Sequence, residues 1–259
     1  MQSIRIFKKT GIILFWLLLW QMLAILVNNR ILIVGPLETF RALWRLLPRP
    51  AFWQAAGGTA FFVVSGFLLG GLAGMACAGL AYCSRFFREL VAPLLSVFRA
   101  VPIVSFVILL LIWQGSRRLS FFISLMVVFV VMYGNTLNGL LGMKAELVQA
   151  AKLLRVGWYQ RVRYIYLPEI YPEIKSGLEL SIGMAFKSGI AAEVVGQPAR
   201  TIGNALYQSK IFLETDGVLA YTLTAVCAAW LAEKVFVFLW SVFFGARGLE
   251  ALEEKQKQY

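Results

Sequence analysis

Residues 149–168, Gln-Ala-Ala-Lys-Leu-Leu-Arg-Val-Gly-Trp-Tyr-Gln-Arg-Val-Arg-Tyr-Ile-Tyr-Leu-Pro, are basic, amphipathic and end in proline. They interrupt a chain that is otherwise nearly all apolar. A polar segment wedged between two apolar spans has to lie outside the bilayer, where its helical face needs something to dock against. The fold follows from the contrast between this stretch and its flanks.

The 259 residues are 60% hydrophobic and only 15% charged, with a mean hydropathy of +0.75. A soluble domain carries about 25% charged residues, so too little polar surface remains here to keep one in solution. Apolar runs exceed the length that marks a spanning helix. The expected fold class is an all-α membrane protein of about six transmembrane helices. The net charge of +12 resides in short segments beside the spans, where Lys and Arg orient a chain and meet lipid headgroups. No basic stripe interleaved with exposed aromatics offers a nucleic-acid surface. Cys77, Cys83 and Cys227 follow no metal or redox spacing, and the chain has no histidine. His-based metal sites and His general-base chemistry are therefore excluded, and no metal site or catalytic constellation is expected. The chain reads as a non-enzyme.

Hydropathy and turn residues divide the chain. Residues 1–54 hold a first span at 11–27, with Arg5, Lys8 and Lys9 before it, and an outer interfacial helix. In that helix Leu37, Phe40, Leu43, Trp44 and Leu47 recur at helical spacing, and the arginines are expected to meet lipid. Residues 55–245 form the transmembrane core, with spans expected near 55–82, 90–114, 119–143, 174–195 and 217–237 and a cytoplasmic loop at 144–173. Residues 246–259 form a polar cytoplasmic tail. Lys and Arg favour the segments assigned to the inner side, which puts both termini in the cytoplasm.

Three features of the spans stand out. Gly66, Gly70, Gly74 and Ala78 repeat every four residues and share one helix face, where a neighbouring backbone approaches closely; static packing and a sliding contact both fit. Arg99 and Pro102 stand near the start of span three, and the proline is expected to kink it. Asn135 and Asn138 share a face of span four, for interhelical hydrogen bonds or for solute.

Within the loop, 145–154 is rich in helix formers, and 158–166 makes a second helix with Val162, Ile165 and Tyr166 on one face. Gly157 is the expected joint, and Pro168 is expected to stop the second helix. The result is a compact knob whose small Ala150 and Ala151 would admit a partner. An amphipathic hairpin on the inner leaflet fits the spacing equally well.

This loop resembles the signature segment of permease subunits of bacterial binding-protein-dependent ABC importers: Glu-Ala-Ala, three residues, Gly, nine residues, Ile, one residue, Leu-Pro. Ala150, Ala151, Ile165, Leu167 and Pro168 match in register. Gln149 replaces the Glu and Arg155 the Gly, with Gly157 two positions on. Pro168 to Pro172, Gly177-Leu178, Ala191 to Gly196 and Ile202-Gly203 resemble the nitrate/sulfonate/taurine branch, as do Arg99 to Pro102 and Asn135-Thr136. The resemblance covers about residues 35–240. It implies a methionine-importer-like permease fold in the bacterial cytoplasmic membrane, working as a homodimer. The implied partners are a cytoplasmic ABC ATPase, an extracytoplasmic substrate-binding protein and the lipid bilayer, with no nucleic acid. Gln149, Ala150, Ala151, Arg155, Gly157, Ile165, Leu167 and Pro168 would couple to the ATPase. No phosphate-loop motif occurs in the chain, so it is expected to bind no cofactor of its own, with ATP and Mg carried by the ATPase.

Lys187 and Glu193 are expected inside span five. Charges at that depth face a cavity or a partner rather than lipid. With Arg99, Pro102, Asn135 and Asn138 they are candidate pathway-lining residues for a small solute, with Lys187 placed to attract an anionic one. The rival expectation is an ion-coupled secondary transporter that uses Lys187 and Glu193 as a relay.

Overall fold

The structure is a computed structural model that describes residues 2–29 and 31–245; the expected polar tail, 246–259, lies outside the described residues. All regular elements among the described residues are helical. They are α1 (Gln2–Val27), α2 (Pro36–Leu46), α3 (Pro50–Cys83), α4 (Arg85–Ala100), α5 (Ile103–Gln114) and α6 (Leu119–Gly142). Then follow α7 (Ala145–Leu153), α8 (Trp158–Arg161), a π turn (Val162–Tyr166), α9 (Leu167–Gly196), α10 (Ile202–Ile211) and α11 (Thr215–Gly245).

Local chemistry explains several boundaries. Pro36 and Pro50 open α2 and α3 from extended residues, the position where a missing N–H costs nothing. Ser84 caps α4 by accepting from the Phe87 N–H at 3.2 Å, and Thr201 caps α10 through the Asn204 N–H at 3.3 Å, each satisfying a donor that the first turn leaves open. Gly115, at φ +71°, ends α5, a conformation that glycine adopts without steric cost.

Four helices are long and apolar enough to cross a bilayer: α1 from Thr10, α3, α6 and α11 to Trp240. The pair α4 and α5 adds a fifth if it is counted as one broken span. The break corrects the expected kink in span three, because the two helices meet at 102° across Val101 and Pro102. Pro102 cannot donate to a continuing helix, and Val101 before it is extended at ψ 130°. The remaining expected span is α9, whose 30 residues suffice to cross. Its Glu179, Lys187 and Glu193 keep it less apolar than the other four, and it packs inside the bundle against α3, α6, α10 and α11.

The tightest seam joins α3 to α6. The missing side chains of Gly66, Gly70 and Gly74 point at the carbonyl oxygens of Phe121, Leu125 and Phe129, and a Cβ on Gly74 would lie 2.8 Å from that of Phe129. Ala78 is buried one turn further on, beside Leu95, Tyr133 and Leu137. Lipid tails are as apolar as these side chains, so close packing rather than water exclusion drives this contact. The geometry directs glycine Cα–H groups at carbonyls, contacts worth about 0.5–1 kcal/mol each. Val63 and Phe67 of α3, Val128 and Met132 of α6, and Ile182 and Phe186 of α9 form the main core. Ser124 ties α6 to α9 by donating to the Ala185 carbonyl at 3.2 Å.

Helix α2 buries Pro36, Thr39 and Ala42 and leaves Leu37, Phe40 and Trp44 exposed. Its apolar face is thus free for lipid, as an interfacial helix requires. Arg45, expected at lipid headgroups, instead reaches Asp216 at 2.7 Å.

Candidate functional site: an exposed knob and a charged helix

The loop after α6 forms a knob of three parts. Helix α7 ends at Leu153, and the Val156 N–H returns to the Ala151 carbonyl at 3.1 Å. Between them Arg155 adopts φ +50°. A left-handed residue with a six-to-one hydrogen bond is the usual glycine termination of a helix. The chain therefore keeps the turn at position 155 although arginine occupies it, at a cost of about 1 kcal/mol or slightly more. Gly157, expected as the joint, has φ −60° and serves as the residue before α8, a conformation open to any residue.

Pro168 does not stop the second helix, contrary to expectation. The Leu167 N–H bonds to the Val162 carbonyl, five residues back, and the helix continues through Pro168 into α9. The π turn shifts the ladder by one residue, so the proline ring enters where a regular turn would clash. Span five consequently begins at Leu167 and forms one nearly continuous rod with the knob.

The knob's inner face is anchored. Tyr166 is buried, and its ring centroid lies 6.1 Å from that of Tyr82 at the end of α3 and 6.2 Å from that of Trp158. Val162 and Ile165 pack with Tyr166 against the main core, so the expected apolar face holds. Ala151 corrects the expected partner contact: it is 3% exposed and faces its own chain. The outer face is carried by larger side chains, Leu153 at 84%, Leu154 at 77% and Trp158 at 60% exposed. Gln149, Arg155 and Gly157 are exposed beside them, whereas Leu167 and Pro168 are half-buried. A repeat of small residues in the sequence drew attention to Ala150 and Ala151. The exposed pair Leu153-Leu154 falls at the very end of the helical stretch, where periodicity assigns a face least firmly.

The candidate pathway residues part company. Glu193 is fully buried. Its Oε2 accepts from the Thr59 hydroxyl at 2.8 Å and from the Gly203 N–H at 3.1 Å. Thr59 in turn accepts from the Ile202 N–H at 2.8 Å. Glu193 and Thr59 thus satisfy the first two backbone donors of α10, where a helix dipole favours negative charge. Ser120 is the remaining neighbour of the carboxyl, and its hydroxyl and Oε1 fall short of a hydrogen bond. The absence of a side chain on Gly203 is required, since a Cβ there would meet the Glu193 Cβ. Glu193 is a closed staple of α3, α9 and α10 rather than a group open to solute, which removes the expected relay with Lys187.

Lys187, by contrast, is exposed on α9. It lines a cavity of about 500 Å³ between α9 and α11 that also holds Phe186, Trp230 and Glu233. Asn135 donates to the Val131 carbonyl within its own helix at 3.1 Å and packs beside Gly177, while Asn138 is exposed. Arg99 is exposed in the last turn of α4, with Nη2 3.4 Å from where a Gly134 side chain would begin. Pro102 is exposed at the break.

An all-helical bundle of apolar spans with a basic, exposed knob between two of them defines an integral membrane protein. Residues 66–243 match the family described as the binding-protein-dependent transport system inner membrane component. The chain belongs to that family, and it is a multi-pass protein of the bacterial plasma membrane. It is 31% identical over 156 residues to a putative aliphatic sulfonates transport permease of Bacillus subtilis, covering 60% of this chain and 56% of that one. It is 27% identical over 147 residues to the taurine transport system permease of Escherichia coli, covering 56% and 53%. The chain thus spans about half the length of these two relatives. A probable ABC transporter permease of Haemophilus influenzae is 24% identical, with 93% and 100% covered. The structure superposes on an inward-facing MetNI methionine ABC transporter with a TM-score of 0.57 at 16% identity, covering 78% of this chain and 98% of that chain. The methionine-importer-like permease fold is therefore established.

Proposed function

We propose that the chain forms the transmembrane pathway of an ABC importer, paired with a second copy of itself. A separate cytoplasmic ATPase, carrying ATP and Mg, would seat the knob at 145–166 in a groove, and an extracytoplasmic binding protein would deliver a small anionic solute to the outer mouth. Both chain termini would lie in the cytoplasm. The observation that carries this reading is the knob itself: three large apolar side chains, Leu153, Leu154 and Trp158, stand exposed on a segment too basic to enter the bilayer. Exposed apolar anchors rimmed by polar residues are the mark of a protein interface.

The mechanism is mechanical. The helix from Trp158 through the π turn into α9 is a single rod, so a displacement at the knob is transmitted along α9 to Lys187 and the staple at Glu193. ATP-driven closure of the ATPase pair would draw two knobs together and reorient the two copies of α9 between inward- and outward-open states. No covalent chemistry occurs in this chain. The sulfonate, taurine and nitrate relatives support an anionic solute.

The test is reconstitution of the chain in proteoliposomes with its ATPase and binding protein. Uptake should require ATP, and a cysteine at Leu154 should crosslink to the ATPase. Uptake that persists without ATP and collapses with an ionophore would overturn the reading in favour of ion coupling.

A further inference from the structure

Arg155 is the one residue of the knob that the knob's own fold does not account for. Its backbone is left-handed, at φ +50°, where glycine would sit without strain. Its side chain is exposed, and among the described residues it makes no ion pair or side-chain hydrogen bond. Arg163 differs: its Nη1 reaches the Tyr159 hydroxyl at 3.5 Å, and its guanidinium lies 5.9 Å from the Tyr164 ring centroid. A strained residue with no internal contact points to a role outside the chain.

The neighbours of Arg155 decide what kind of contact that is. Leu153 and Leu154 directly precede it and are 84% and 77% exposed. A groove that takes in these two side chains also strips water from the guanidinium beside them. Dehydrating a charge without a counter-charge offsets the gain from burying the leucines. The knob is poor in counter-charges of its own. Residues 144–166 hold Lys144, Lys152, Arg155, Arg161 and Arg163 against the single carboxylate of Glu146, which stands in the first turn of α7. Against the importer signature, Gln149 removes a negative charge and Arg155 adds a positive one, so the formal charge rises by two, one unit from each position. We propose that Arg155 selects the ATPase: it docks on a carboxylate in the groove that receives Leu153 and Leu154, and restricts this chain to an ATPase with an acidic residue there. The planar fork of a guanidinium fits a carboxylate through two parallel hydrogen bonds. The proposal rests on the importer reading and specifies the chemistry of the partner at the site which that reading assigns.

The test uses the full chain in nanodiscs with its purified ATPase, and affinity is read at low and high salt. Alanine and glutamate bear the same left-handed strain as arginine, so these variants change the charge and not the turn. Arg155→Ala should weaken binding about thirtyfold, the low end for removing one partner of a desolvated charge pair. Arg155→Glu should weaken it about tenfold further through like-charge contact. The wild type should lose affinity with salt more steeply than Arg155→Ala, a difference that a merely structural role would not produce. The double variant Gln149→Glu, Arg155→Gly restores the signature and removes the strain, yet should bind no better than Arg155→Ala. Carbodiimide treatment of the Arg155→Lys variant should join its new amine to an aspartate or glutamate of the ATPase, mapped by mass spectrometry. Reversing the charge of that residue should restore binding of Arg155→Glu. Binding of Arg155→Glu within about threefold of the wild type, the scale of an exposed surface pair, would overturn the assignment. So would equal salt slopes, no crosslink to a carboxylate, or a double variant that binds more tightly than the wild type. Wild-type affinity for the ATPase that Arg155→Glu leaves intact, with affinity for phosphatidylglycerol lost instead, would place the guanidinium on lipid. If Leu154→Cys still captures the ATPase in any of these cases, only the role of Arg155 fails; if the wild-type chain binds no ATPase at all, the importer reading falls with it.

Discussion

The Glu193 staple and the knob at 145–166 are opposite solutions to the same difficulty, polar chemistry attached to an apolar bundle. At the staple a carboxylate is enclosed completely, and Thr59, Gly203 and Ile202 are arranged so that its Oε2 and two backbone donors are satisfied. At the knob the enclosure is reversed: the polar backbone is helical and satisfied, and large apolar side chains project outward. A buried polar group without its partner costs about 1–3 kcal/mol, so the staple is a structural device. An exposed apolar cluster on a segment that cannot enter lipid has no structural use in the isolated chain. Function is therefore to be sought where the apolar groups are in the wrong place, not where the polar ones are.

The strongest way to break this contrast is Glu193→Ala. It orphans the Thr59 hydroxyl and the Gly203 N–H and should lower stability by about 2–5 kcal/mol, measured by thermal or denaturant unfolding in detergent. Glu193→Gln retains an acceptor for both donors and should stay within about 1 kcal/mol of the wild type. A glutamine variant as damaged as the alanine variant would mean that the charge itself is needed, and the purely structural account would fail.

At the knob the pattern should invert. Leu154→Asp is expected to leave unfolding within about 0.5 kcal/mol while weakening ATPase binding by about 2 kcal/mol, close to thirtyfold. Microscale binding to the purified ATPase reads this directly, and a variant that destabilises the chain without affecting ATPase binding would contradict it.

Smaller effects sharpen the comparison. Gly70→Ala drives a methyl at the Leu125 carbonyl and should cost about 1–3 kcal/mol, seen as a lower midpoint of unfolding. Arg155→Gly relieves the left-handed arginine and should stabilise the knob locally by about 1 kcal/mol, detectable as slower amide exchange at Val156. Gly157→Ala should change exchange in the knob by no more than a few tenths of a kcal/mol, because its φ of −60° suits any residue. If Gly157→Ala proved the more disruptive of the last two, the turn would lie where the sequence pattern first placed it.

Part of this was legible without coordinates. The glycine repeat from Gly66 to Gly74 announced a close helix contact because a four-residue spacing needs only one helix to be read. The register of Ala150, Ala151, Ile165 and Pro168 located the knob. Pro168 misled, since a proline reports a missing donor but not whether a π turn nearby will absorb it. Arg155 was ambiguous for a related reason: its side chain gives no sign that its backbone is left-handed, which the neighbouring helix ending imposes. Glu193 and Lys187 look alike in sequence, two charges in one apolar run, and Thr59 lies 134 positions away from its partner.

The sequence by itself determined that this chain is a helical membrane bundle, roughly where its apolar spans lie, and which polar segment stands apart from them. Those properties depend on hydropathy and on spacing within a single helix, both local. Only the tertiary structure decided that Glu193 is sealed while Lys187 faces a groove with Glu233, that α4 and α5 meet at 102°, and that the knob runs unbroken into α9. These depend on which face of one helix meets which face of another, and packing between distant segments settles that only after the whole bundle has assembled.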